Sequence, residues 1–224
     1  MDKQIRTFSL SKDQVDIDCE LALRFLRVRR QPDEQMSAML KECVREVQNV
    51  ISYKASYRCF DIRIIDNTVY FDDQLQLESE KLCNCLRGCD KAFVFVATTD
   101  VALDRLIAKY RQLLVCKSVV IDAIGSSAIE CFCDILCEQL QNEYKVSFRP
   151  RYSPGYGDLS ILCQGDVLRV CDSTRKIGVT LTDRFMMIPQ KSVSAIVGVR
   201  PHGEKCEHKT SCERCECRDC EYRK

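Results

Sequence analysis

Two groups of residues in this 224-residue chain have types and spacings that could do chemistry. The first lies near the C-terminus. Cys206, Cys212, Cys215, Cys217 and Cys220 form a C-x5-C-x2-C-x1-C-x2-C pattern, with His202 and His208 beside it. Thiolates and imidazoles at that density suit tetrahedral zinc, and thiolates equally hold iron–sulfur clusters, so the pattern points to a metal without choosing one. The segment has almost no aliphatic residues with which to build a core, and metal binding on the order of 10 kcal/mol would fold it. The second group is the turn Arg151-Tyr152-Ser153-Pro154-Gly155-Tyr156. Pro154 fixes φ and Gly155 admits positive φ, so Arg151 and Tyr156 ride on a stiff turn whose backbone can approach a ligand closely. An arginine suits a carboxylate, and a tyrosine offers a flat apolar face with a hydroxyl tip to a sugar, base or macrocycle. On these residues alone, a surface turn with an ordinary salt bridge fits equally well.

Other chemistries are excluded by what is missing. The chain holds no G-x-G-x-x-G and no G-x-x-x-x-G-K-[ST], and both histidines fall in the Cys-rich end, so no Ser/His/Asp or Cys/His arrangement can form in the body. A hydrolase is therefore not expected. Lys plus Arg number 34 against 33 Asp plus Glu, a balance that gives no field for nucleic acid or an acidic membrane; a neutral ligand or a protein partner is expected. The first residues lack the apolar core of a signal peptide, and no run approaches the roughly 18 apolar residues that would span a bilayer, so a cytoplasmic location is expected. There the seventeen cysteines stay reduced or bind metal, and Cys43, Cys116, Cys131, Cys133 and Cys171, set among apolar neighbours, should act as small hydrophobes.

The elements that must position the turn follow from periodicity. Asp18 is placed to cap a helix running to about Val28. Met36, Met39, Leu40, Cys43, Val47 and Val50 give an amphipathic helix over 33–51. Phe60, Ile62 and Ile64 alternate into an Asp66-Asn67 turn and return through Val69-Tyr70-Phe71, a β-hairpin. The stretch 75–89 reads as helix. Its Cys83, Cys85 and Cys89 do not share one helix face, which favours buried thiols over a metal site. The unbroken apolar run 92–97 reads as a central strand covered on both faces. Helices follow over 101–115, with Leu103, Leu106, Ile107, Tyr110 and Leu114 inward, and over 126–144, with Glu130 on solvated surface. Residues 145–148 form a short strand. Two strands, 177–181 and 192–199, then flank an apolar loop at 185–189.

The stretches RYSPGYGD and IGVTLTDRFMMIPQKSVSAIVG resemble the reactivation, S-adenosylmethionine-binding, domain of cobalamin-dependent methionine synthase. Arg151, Pro154, Gly155 and Tyr156 match its Arg-Pro-x-Pro-Gly-Tyr turn; Ile177, Gly178, Leu181, Thr182, Met187, Pro189, Ser192, Val193 and Ser194 match the run that follows. The stretches DCELALRFLRV, CDKAFVFVATTD and DAIGSSAIE are similar to stand-alone versions of that domain. The resemblance implies an α+β fold: residues 1–200 as one domain, a mainly antiparallel sheet flanked by helices, with 201–224 as a Cys-rich tail. It also implies an accessory protein that presents S-adenosylmethionine to the oxidised cobalamin of a partner methionine synthase while an electron donor such as flavodoxin supplies the electron. Arg151 would then pair with the ligand carboxylate, the Ser153 and Gly155 backbone would approach the cofactors, Tyr156 would lie between ligand and corrin, and Glu130 would meet the amino or cationic part of the ligand. An aspartate near the start of the family domain has Asp16 or Asp18 as its candidate here. The family's tyrosine pair after the last strand is replaced by Arg200-Pro201-His202-Gly203. The alternatives are a corrinoid- or metal-handling interaction module that kept the fold but not the ligand, and an autonomous small-molecule methyltransferase.

Overall fold

The computed structural model describes residues 1–28 and 30–201. The metal expectation for Cys206, Cys212, Cys215, Cys217 and Cys220 falls outside the described residues.

Nine strands and seven α-helices are described. The main sheet has the order β4 (Leu75–Glu78), β3 (Thr68–Phe71), β2 (Tyr53–Ile65), β5 (Lys91–Thr98), β9 (Ser192–Pro201), β6 (Val146–Phe148), and β1 (Arg6–Leu10) also pairs with β2. Every pairing is antiparallel. Strand β2 is long enough to serve two neighbours along one side, β1 over Tyr53 to Tyr57 and β3 over Ile62 to Ile65, with β5 opposite.

Strand β5 divides the interior. Its Phe93, Phe95 and Ala97 belong to one core, and its Ala92, Val94 and Val96 to a second on the other face. Alternate side chains of a strand point to opposite faces, so an unbroken apolar run is what a doubly covered strand requires. The first core is roofed by α1 (Cys19–Phe25), α2 (Glu34–Val50), α4 (Val101–Leu113) and α5 (Val115–Tyr144), the second by α3 (Glu80–Leu86), α6 (Gln164–Val170) and α7 (Ser173–Ile177). The α2 expectation holds, and α1 starts as expected but ends at Phe25 rather than about Val28, where Arg27 takes positive φ; Asp18 and Asp33 are the side-chain caps.

Four expectations need correction. Residues 75–89 are not one helix: Leu75 to Glu78 alternate buried and exposed as β4, and Ser79 caps a short α3 that ends before Cys89. Cys83 and Cys89 are buried in the second core. The second long helix starts at Val115, not 126, and Leu114 is the cap between α4 and α5, 47% exposed instead of inward. Gly125 lies within α5. A Cβ there would meet Leu103 Cδ2 at 2.7 Å, so glycine lets α5 lie against α4. Residues 177–181 are the end of α7 and only the short β7 (Thr180–Leu181), and β8 (Met187–Ile188) pairs with it where a loop is expected. Cys116 is exposed rather than packed.

Candidate functional site

The turn at 151–158 is fixed at both ends. At its start, Tyr152 and Ile196 of β9 exchange backbone hydrogen bonds of 2.9 and 2.8 Å, and the Arg149 N–H donates to Gly198 O at 2.9 Å. At its end, the Asp158 carboxylate accepts from the Ser79 hydroxyl and from Glu80 N at 2.8 Å, at the start of α3. Between these anchors Tyr156 N donates to Ser153 O at 3.0 Å and Gly155 N to Leu159 O at 2.9 Å. Gly155 (φ +87°) and Gly157 (φ +56°) take left-handed backbone that the turn needs. A Cβ on Gly157 would meet the Tyr152 hydroxyl at 2.5 Å.

Arg151 points to α5. Its Nη2 lies 2.7 Å from Glu130 Oε2 and its Nη1 2.5 Å from Asp134 Oδ1. The two carboxylates are four residues apart on α5 and so share a helix face. Burial opposes the charge on Arg151, but the groups around it, Cys133, Asp134 and Glu130 foremost, push its pKa up. Cys133 and Cys137 lie nearby with thiol pKa values raised by burial. Glu130 is thus not merely solvated surface; Asp134 is a partner that sequence reasoning did not single out, although its i+4 spacing from Glu130 was the available signal.

Tyr156 is 60% exposed, its ring 6.3 Å from that of Tyr152 in an edge-on contact, and its carbonyl accepts from the Tyr152 hydroxyl at 3.2 Å. Apolar side chains are also exposed at Ile161, Leu162, Met186 and Ile188. The β7–β8 ribbon is tied to α6 by Gln164, whose Nε2 lies 3.3 Å from Met187 Sδ and donates to the Ser194 hydroxyl at 2.8 Å. Ser192 donates to Pro189 O at 2.7 Å. Both serines of the Ser-Val-Ser segment therefore brace the ribbon.

Asp18 accepts from Glu20 N and Leu21 N at the start of α1, and its carbonyl accepts from the Ser127 hydroxyl at 2.6 Å, three residues before Glu130. Asp16 is exposed. Of the expected site residues, Arg151 and Glu130 are brought into contact, whereas the turn beyond Tyr152 runs toward α3, where Asp158 meets Ser79 and Glu80. Among the described residues no group of three or more His, Cys, Asp or Glu is placed to hold a metal, and no helix is long and apolar enough to cross a membrane.

An antiparallel sheet between a four-helix layer and a layer of short helices, with an Arg-Tyr turn bridged to its last long strand, makes an α+β fold. Among solved structures, the chain is similar to the crystal structure of the MetH reactivation domain bound to AdoHcy, with a TM-score of 0.69 at 12% identity over 91% of this chain and 80% of that one. At that identity the likeness shows the fold. No family model and no curated protein sequence matches the chain.

Proposed function

We propose that this protein is a reactivation partner for a cobalamin-dependent methionine synthase, binding S-adenosylmethionine and presenting it to cobalamin held by the partner. The observation that carries the reading is the ion pair between Arg151, at the start of a turn fixed at both ends, and Glu130 of α5. A cation and an anion 2.7 Å apart offer matching charges to the carboxylate and ammonium of an amino-acid end. The similar solved domain is bound to AdoHcy, and the turn that resembles the family's is the one that bears Arg151. Bound S-adenosylmethionine would supply a methyl group on a sulfonium. The chain's own residues would do the holding: Arg151 the carboxylate, Glu130 the ammonium, the Ser153 and Gly155 backbone the close approach, and exposed Tyr156 an aromatic face toward the corrin. Such a task is one of orientation and needs no histidine. The electron would come from a donor such as flavodoxin.

We further assign residues 1–200 as the reactivation domain and Cys206, Cys212, Cys215, Cys217 and Cys220 as ligands for zinc or an iron–sulfur cluster. Anaerobic purification followed by metal analysis and an absorption spectrum separates the two metals; a protein with neither counts against the assignment.

Titration calorimetry with S-adenosylmethionine, with and without a cobalamin-loaded methionine synthase, tests the main reading, followed by recovery of activity of the oxidised enzyme given a reductant. No binding in either setting, with no recovery, removes it. One observation favours a second reading, a corrinoid- or metal-handling interaction module without the ligand: Arg200-Pro201-His202-Gly203 stands where the family carries its tyrosine pair. Equal recovery with and without S-adenosylmethionine would select that reading.

A further inference from the structure

Both terminal nitrogens of Arg151 are already engaged, Nη1 by Asp134 at 2.5 Å and Nη2 by Glu130 at 2.7 Å. These bonds take one N–H on each terminal nitrogen of a group with five, so a ligand carboxylate that grips both terminal nitrogens meets Asp134 and Glu130 as competitors for the same edge. The two are not equivalent. The Glu130 side chain is 35% exposed, whereas that of Asp134 is 73% exposed, against 24% for Arg151 itself. An ion pair whose acidic partner stands mostly in water contributes little and is screened, so it yields at low cost. Glu130, more enclosed, stays.

We propose that Asp134 is a built-in competitor for the ligand: an internal carboxylate that occupies the carboxylate-binding donors of Arg151 and swings into solvent when an amino-acid end arrives. This rests on the proposed function, since it names how that same site discriminates. Asp134 lowers the affinity for every ligand that uses Arg151 and leaves untouched those that do not. A ligand held by its carboxylate alone is weakened by that competition, whereas one backed by further contacts, the nucleoside and the ammonium, keeps enough affinity to bind.

The test uses the full chain and its Asp134→Asn variant, titrated calorimetrically with S-adenosylhomocysteine and with 5′-methylthioadenosine, which shares the nucleoside thioether but lacks the amino-acid end. The expected result is binding of S-adenosylhomocysteine about 1.5- to 5-fold tighter in the variant, the range for an exposed ion pair, with methylthioadenosine unchanged. In an Arg151→Ala background the Asp134→Asn change should have no effect. Wild-type binding with equal or weaker binding by the variant overturns the competitor and leaves the proposed function standing. A gain of the same size for methylthioadenosine also overturns it, since that is a general charge effect. Absence of S-adenosylhomocysteine binding in both proteins, with and without partner, overturns the proposed function and the competitor together.

Discussion

Tyr152 and Ile196 face each other across two backbone hydrogen bonds of 2.9 and 2.8 Å, and that bridge places the side chain of Arg151 beside α5. The turn is therefore an extra rung on the sheet rather than a free loop. Its side chains are positioned by β9, which is itself paired with β5 along eight residues.

Because the turn is held by backbone, Arg151→Ala should leave the fold intact and remove the ligand. Charge-assisted hydrogen bonds contribute about 1.5–3 kcal/mol, so S-adenosylmethionine binding should weaken roughly 10- to 150-fold. Calorimetry beside a circular dichroism melt checks this. An unchanged dissociation constant would separate Arg151 from the ligand.

Lys117 is a closely enclosed cation outside this site. Its ammonium, with the side chain 8% exposed, lies 2.5 Å from Glu42, 2.6 Å from Glu46 and 4.4 Å from the Tyr110 ring centre, tying α5 to α2 and α4. Lys117→Ala should lower stability by about 1.5–3 kcal/mol in denaturant unfolding, because Glu46 loses a charged hydrogen bond in a part-buried place. Glu42→Gln should cost under about 1 kcal/mol, since Glu42 stands largely in solvent.

Burial pushes the thiols of Cys43, Cys59 and Cys163 up to about 11 from an ordinary 9.0. An acid whose folded pKa is raised stays neutral in the native state while the unfolded chain releases its proton. The stabilisation is complete below about pH 9 and is lost as pH rises from 9 to about 11. The melting temperature should fall across that window under reducing conditions, and less steeply in Cys43→Ala. Equal slopes in the two proteins would exclude Cys43 as a cause.

A Cβ at Gly198 would lie 2.8 Å from both Cys89 Sγ and Leu86 Cδ2 and 3.2 Å from Arg149 Cγ. Gly198→Ala should therefore destabilise by about 1–3 kcal/mol through overpacking between β9 and the end of α3. Thermal unfolding of the variant measures it, and a melting point equal to wild type would mean that the contact relaxes freely.

Much of this fold was legible because its signals are local. The α2 stripe, the hairpin turn at Asp66 and Asn67 and the apolar β5 run each obey one period, and the structure keeps them. The signals failed where a partner element decides. Leu75 to Glu78 form a strand because β3 lies alongside, and α5 runs on through Gly125, where the lack of a side chain makes room for Leu103 of α4. Strand β1 was not anticipated, since five residues of mixed polarity carry little pattern without β2 beside them. The site divides the same way. The turn chemistry of Pro154 and Gly155 and the choice of Arg151 could be read directly, whereas the bond from Arg151 to Asp134 joins residues 17 apart and exists only once α5 and the turn meet.

The two cores share one sheet, and β5 contributes alternate side chains to each. The described residues therefore do not divide into two self-sufficient halves. A fragment ending before Gln164 would bare Val94 and Val96 to water and lack Ile196, while one beginning after Leu10 would leave the β1-facing side of β2 unpaired. Limited proteolysis should accordingly yield either the intact body or small peptides, with no stable half surviving in between.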